Sequence, residues 1–107
     1  MREIKESDWK LLRQLHTEAL ERFCKQILLE VARINADRVK SFHQKYLEIY
    51  AVLHRRDREI AQTFNDLRRS RALMMIASMK GHGLLTQDEL SRFSQETQEL
   101  VDVLLGS

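Results

Sequence analysis

The chain has 107 residues, no proline and three glycines, and its 32% of charged residues leave a net charge of only +2. That length allows one domain, residues 1–107, and the near-neutral balance gives no global field to draw nucleic acid. A single cysteine excludes an intrachain disulfide framework and suits a reducing compartment. The charged start MREIKESDWK lacks the apolar run of a secretion signal, and no stretch approaches the roughly 20 apolar residues of a membrane helix. A cytoplasmic protein with no membrane association is the expectation.

Leu, Glu, Arg, Lys, Ala and Gln are abundant, and β-branched residues nowhere alternate with polar ones, so the expected fold class is all-α. Ser7 or Asp8 is a candidate cap for a first helix with apolar positions Trp9, Leu12, Ala19, Phe23, Ile27, Val31 and Ile34. Leu11, Leu15, Leu20, Cys24 and Leu28 widen that stripe, and the turn-prone Asn35-Ala36-Asp37 ends it. Ser41 then caps a second helix lying antiparallel to the first. No Gly or Pro interrupts the sequence from there to Lys80, and Gly81-His82-Gly83 supplies a C-cap. Thr86-Gln87-Asp88-Glu89 is a capping box that opens the last helix, which runs on through Leu90, Phe93, Thr97, Leu100, Val101 and Leu104. Ser94 marks a kink or a second cap. The expected architecture is three main helices with a long central one, a helical bundle completed by dimerisation.

The long helix carries apolar groups at Phe42, Tyr46, Ile49, Leu53, Ile60, Phe64, Leu67, Met74 and Met75. Straight, it would be about 60 Å long, against a radius of gyration near 13 Å for a compact chain of this size. Either it breaks near His54–Asp57 or Arg68–Arg71, or a second protomer covers what remains. Asp57 and Arg71 fall inside its apolar stripe, where an unpaired charge is costly. They are about 21 Å apart along one helix and cannot pair within it. An antiparallel two-fold near Phe64 would set Asp57 against Arg71 of the other chain, with Ile60 meeting Leu67. The candidate dimer interface is therefore Tyr46, Leu53, Asp57, Ile60, Phe64, Leu67, Arg71 and Met74.

Arg55, Arg56 and Arg58 form one basic cluster and Arg68, Arg69 and Arg71 another. On a continuous helix Arg55, Arg58 and Arg69 share one side, a candidate basic patch for a phosphate backbone. Asp57, Glu59 and Asp66 are interleaved, which favours a solvated face with i,i+4 pairing such as Arg55–Glu59. His16, His43, His54 and His82 lie on separate elements with no HExxH or CxxC spacing. Glu18 and Glu21 form an ExxE, but the ExxD partner that MazG-type pyrophosphohydrolases use to hold magnesium is missing, since Glu48 is followed by Ala51 and Glu59 by Gln62. Cys24 reads as an inert thiol on an apolar face. No catalytic, cofactor-binding or metal-ligating residue is assigned.

Three stretches, SDWKLLRQLHTEALERFC, RDREIAQTFNDLRRS and GLLTQDELSRFSQET, together resemble small all-helical bacterial proteins of unknown function, including some carried as mobile integron gene cassettes. That resemblance implies a bacterial, soluble, helical protein and transfers no site residue. The leading functional expectation is a non-enzymatic helical interaction module, homodimeric and protein-binding, its partner unidentified. A nucleic-acid-binding or regulatory protein using the two Arg clusters is the alternative, and a metal-dependent or small-ligand enzyme comes third.

Overall fold

Helix α1 spans Glu6–Ala36 in the computed structural model, which describes residues 4–106. At 31 residues it is the longest element, about 46 Å from end to end, and it nearly matches the 51 Å long axis of the molecule. Lys5 takes its N-cap position without a side-chain bond. Ser7 and Asp8, the expected caps, sit inside the first turn, and the Asp8 carboxylate is engaged elsewhere (below). The helix ends at the expected Asn35-Ala36-Asp37. Asp37 Oδ1 accepts from the amides of Val39 (2.8 Å) and Lys40 (3.3 Å), the side-chain turn that reverses the chain. Those amide bonds hold the Asp37 carboxyl below the ordinary carboxylate range.

Helix α2, Phe42–Phe64, returns antiparallel along α1. Ser41 caps it as expected, and Gln44 completes a capping box: Gln44 N–H donates to Ser41 Oγ (3.1 Å) and Ser41 N–H to Gln44 Oε1 (2.9 Å). The expectation of one long central helix does not survive past Phe64. Asn65 ends α2, Asp66 adopts φ 61°, and the chain resumes with a 3-10 turn at Arg69–Arg71 and helix α3, Ala72–Gly81. Asn and Asp are the non-glycine residues best suited to the left-handed region. Here Arg68 and Arg71 both reach the Asp66 carboxylate, and Arg71 Nη1 donates to Asn65 O at 3.2 Å. The hydrogen bond from Arg68 holds the Asp66 carboxyl below its usual range.

The physical reason for the break is α3 itself. Ala72, Leu73, Met75, Ile76, Ala77 and Met79 are all buried, so this helix is apolar on nearly every side and must sit inside, not at the far end of a rod. It packs against α1, α2 and α5 and is the true centre of the fold. Its end is a Schellman motif: Gly83 at φ 70° lets Leu84 N–H reach Met79 O (2.9 Å) and Gly83 N–H reach Lys80 O (3.0 Å).

Helix α4, Gln87–Ser91, opens on the expected capping box, with Thr86 N–H on Glu89 Oε1 (2.8 Å) and Glu89 N–H on Thr86 Oγ1 (3.1 Å). Ser94 is a second cap, separating α4 from α5, Gln95–Leu104. Five α-helices thus replace the expected three among the described residues, and the longest is the first.

Two polar devices bind the C-terminal helices to α1. Asp8, 2% exposed, accepts from Ser94 N–H (2.8 Å), Ser94 Oγ–H (2.6 Å) and Thr97 Oγ1–H (2.7 Å). Arg22 grips Glu89 with two parallel bonds (2.6 and 3.0 Å) and also donates to Leu84 O (2.8 Å). These groups satisfy helix ends inside the fold, where an orphaned donor would cost about 1–3 kcal/mol.

Candidate functional site: the uncovered flank of a helical arm

The core occupies one end of the molecule. Leu12, Leu15, Ala19, Phe23 and Ile27 of α1 meet Phe64, α3, Leu84, Phe93 and Val101 there. From Leu28 to Ala51 no residue is buried. The second half of α1 and the first half of α2 project beyond the core as a two-helix arm.

The seam inside this arm combines half-buried Val31, Ile34 and Ile49 and buried Val52 with ionic and hydrogen-bonded pairs. Lys40 pairs with Glu48, Lys45 Nζ donates to Asn35 O (2.8 Å), and Glu30 receives both Arg55 (3.2 Å) and Arg56 (3.1 Å). Burial works against the Glu30 charge, but Arg56 and then Arg55 outweigh it and hold the carboxyl below its ordinary value. At about 100° per residue, the seam takes the side of α2 bearing Lys45, Val52, Arg56 and Thr63. The most apolar side, bearing Phe42, Tyr46, Tyr50 and Leu53, is rotated about 100° away and left largely uncovered, with Lys45 Nζ over the Phe42 ring at 5.6 Å. Phe42 is 88% exposed, Tyr46 65%, Tyr50 63% and Leu53 45%. Beside it, between the two helices, lies an open apolar groove of about 590 Å³ lined by Cys24, Leu28, Tyr50, Leu53, Asp57 and Ile60. His54 stacks parallel on Tyr50 with centroids 6.1 Å apart, which orients that ring.

The expected interface residues divide at the break. Tyr46, Leu53, Asp57 and Ile60 lie along the uncovered flank of α2 and its groove. Phe64, 4% exposed, is instead core, with the His16 ring edge-on to it at 5.4 Å and His16 Nε2 3.0 Å from its carbonyl. Leu67, Arg71 and Met74 follow the break, and Arg71 is turned to Asn65 O and Asp66. The register that set Asp57 against Arg71 assumed one straight helix, and the turn at Asp66 removes its basis. Asp57 itself is exposed on the groove, with no ion pair or hydrogen bond among the described residues.

The expected basic patch divides in the same way. Arg55 faces Glu30 and Glu59, whereas Arg69 lies past the break, donating to Ile4 O (3.1 and 2.7 Å) and to Glu6 (2.8 Å). Only Arg58 of the three projects to solvent without an ion pair among the described residues. The histidines remain apart: His82 lies over Phe23 at 4.9 Å, and no group of three or more metal-ligating side chains converges among the described residues. Glu18 stands 3.9 Å from Arg22. No helix of the described residues is long and apolar enough to cross a membrane.

Tyr50, Leu28 and the groove position of Cys24 are what reading the sequence missed. The signal for Tyr50 was present, since Tyr46-Tyr50 is an i,i+4 aromatic pair, but Ile49 competes for the same stripe. No protein-family model matches the chain, and no curated protein or solved structure matches it either.

Proposed function

We propose that the protein is a non-enzymatic helical interaction module that assembles with another polypeptide, in the first place a second copy of itself, through the uncovered flank of its arm. The observation that carries this reading is the orientation of α2, which keeps its ion-pairing side for α1 and turns its aromatic stripe outward. An apolar helix face is stable when another layer covers it, and a contiguous exposed patch on a rigid element is the usual mark of an interaction surface. Two helical hairpins laid together complete a four-helix bundle, a simple way to supply the missing layer.

Light scattering at tens of micromolar is expected to give twice the chain mass of 12.7 kDa. Leu53→Glu, at a position 45% exposed, is expected to return the single-chain mass with unchanged helix content. A wild-type mass of 12.7 kDa at hundreds of micromolar would contradict the reading.

A further inference from the structure

The uncovered stripe has a property that its exposure alone does not require. Phe42, Tyr46, Tyr50, Leu53, Asp57 and Ala61 are spaced four, four, three, four and four residues apart, a series that reads the same from either end. All six fall within about 100° of arc on α2. A helix of this kind, laid antiparallel on its own copy, brings each position onto a complement. With the two-fold axis between Ala51 and Val52, Tyr50 meets Leu53, Phe42 meets the small Ala61, and Tyr46 meets Asp57.

The last pairing resolves the one misplaced charge. Asp57 is the only ionised group in the stripe, and it has no partner among the described residues. Covering it with a purely apolar surface would be costly, whereas a phenol O–H supplies a short, charge-assisted bond to the carboxylate. Phe42 likewise finds a small residue opposite, and half-buried Ile60 lies beside it. The three aromatic side chains each bury roughly 150–250 Å² when fully covered, so they provide much of the roughly 800 Å² per partner that a stable interface uses. Leu28 of α1, 65% exposed on the rim of the groove, adds to that area.

We infer that the occupant of this flank is the same flank of a second copy, in an antiparallel register that sets Tyr46 of one protomer on Asp57 of the other. The inference rests on the arm being an assembly surface, and a charge-swap series separates the two claims. Tyr46→Glu places two carboxylates face to face and is expected to weaken the dimer by roughly a hundredfold. Adding Asp57→Lys to that variant replaces the repulsion with an ion pair and is expected to restore association to within about tenfold of wild type. The two positions are about 16 Å apart along α2, so such rescue cannot arise within one chain. Because Tyr46 is 65% exposed in the single chain, the circular dichroism of the monomeric variant should match wild type. If Leu53→Glu dissociates the protein but the double variant fails to rescue Tyr46→Glu, the register is overturned and the assembly surface stands. An unaffected Tyr46→Glu dimer also overturns the register. A wild-type chain that stays monomeric overturns both.

Discussion

The two ends of α1 carry the same apolar periodicity and lie in different surroundings. At its core end Leu12, Ala19 and Phe23 are fully buried, while farther along the same side Val31 and Ile34 are only half-buried. The difference is α3, which lies against the first half and not the second. An amphipathic pattern states that a face needs cover, and it does not state what provides it. At the core end the chain covers itself by breaking after Phe64 and folding α3 inward. In the arm α2 covers that side only in part, and the apolar stripe of α2 itself is left bare.

Substitutions test this contrast most strongly where the two regions should differ most. Phe23→Ala is expected to cost about 3–5 kcal/mol in urea unfolding, since it empties the middle of the core. Phe42→Ala, measured at high dilution, should stay within about 0.5 kcal/mol of wild type. Similar losses at both positions would erase the distinction between core and arm.

Next in size is Asp8→Ala, which strips the acceptor from Ser94 and Thr97 and should cost about 2–3 kcal/mol by the same measurement.

The largest acid sensitivity should also belong to the core end. The hydrogen bonds from Arg22 hold the Glu89 carboxyl at about 2, below its ordinary 4.5, with burial opposing and the Thr86 amide assisting. A depressed folded value means that the stabilisation is complete above pH 4.5 and is lost as pH falls toward 2. With Arg22 partly open to water, a loss of about 1–2 kcal/mol is expected across that window. Glu89→Gln should flatten this part of the stability–pH curve, and an unchanged curve would remove the pair from the account.

The smallest effect concerns the joint between the regions. Asp66→Ala retains a β-carbon at φ 61° and should cost about 1 kcal/mol, while Asp66→Gly should be near neutral. Equal unfolding midpoints for the two variants would mean that the left-handed residue is not what shapes the turn.

The all-helical class, both ends of the α1–α2 connection and the caps at Ser41, Thr86 and Ser94 were legible because each depends on local chemistry within a turn of helix. The break at Asp66 was legible only as one of several options. Residues 42–81 keep a helical pattern throughout, and what ends α2 is the burial of α3, a non-local demand. The Asp8 and Arg22–Glu89 attachments were missed for the same reason, since their partners are far away in the sequence. Periodicity placed Tyr46, Leu53, Asp57 and Ile60 on one side of α2, the side that the structure leaves along the flank and its groove. Phe64 was misassigned because periodicity does not distinguish a face covered by the chain from one covered by a partner.

The central claim is that the arm is half of an interface, and amide hydrogen exchange followed against protein concentration tests it most directly. Protection across residues 42–61 should rise between sub-micromolar and high-micromolar protein, and by more than that of α3, which is already buried and gains only through the global stability of the chain. Exchange in residues 42–61 that is independent of concentration would contradict the account.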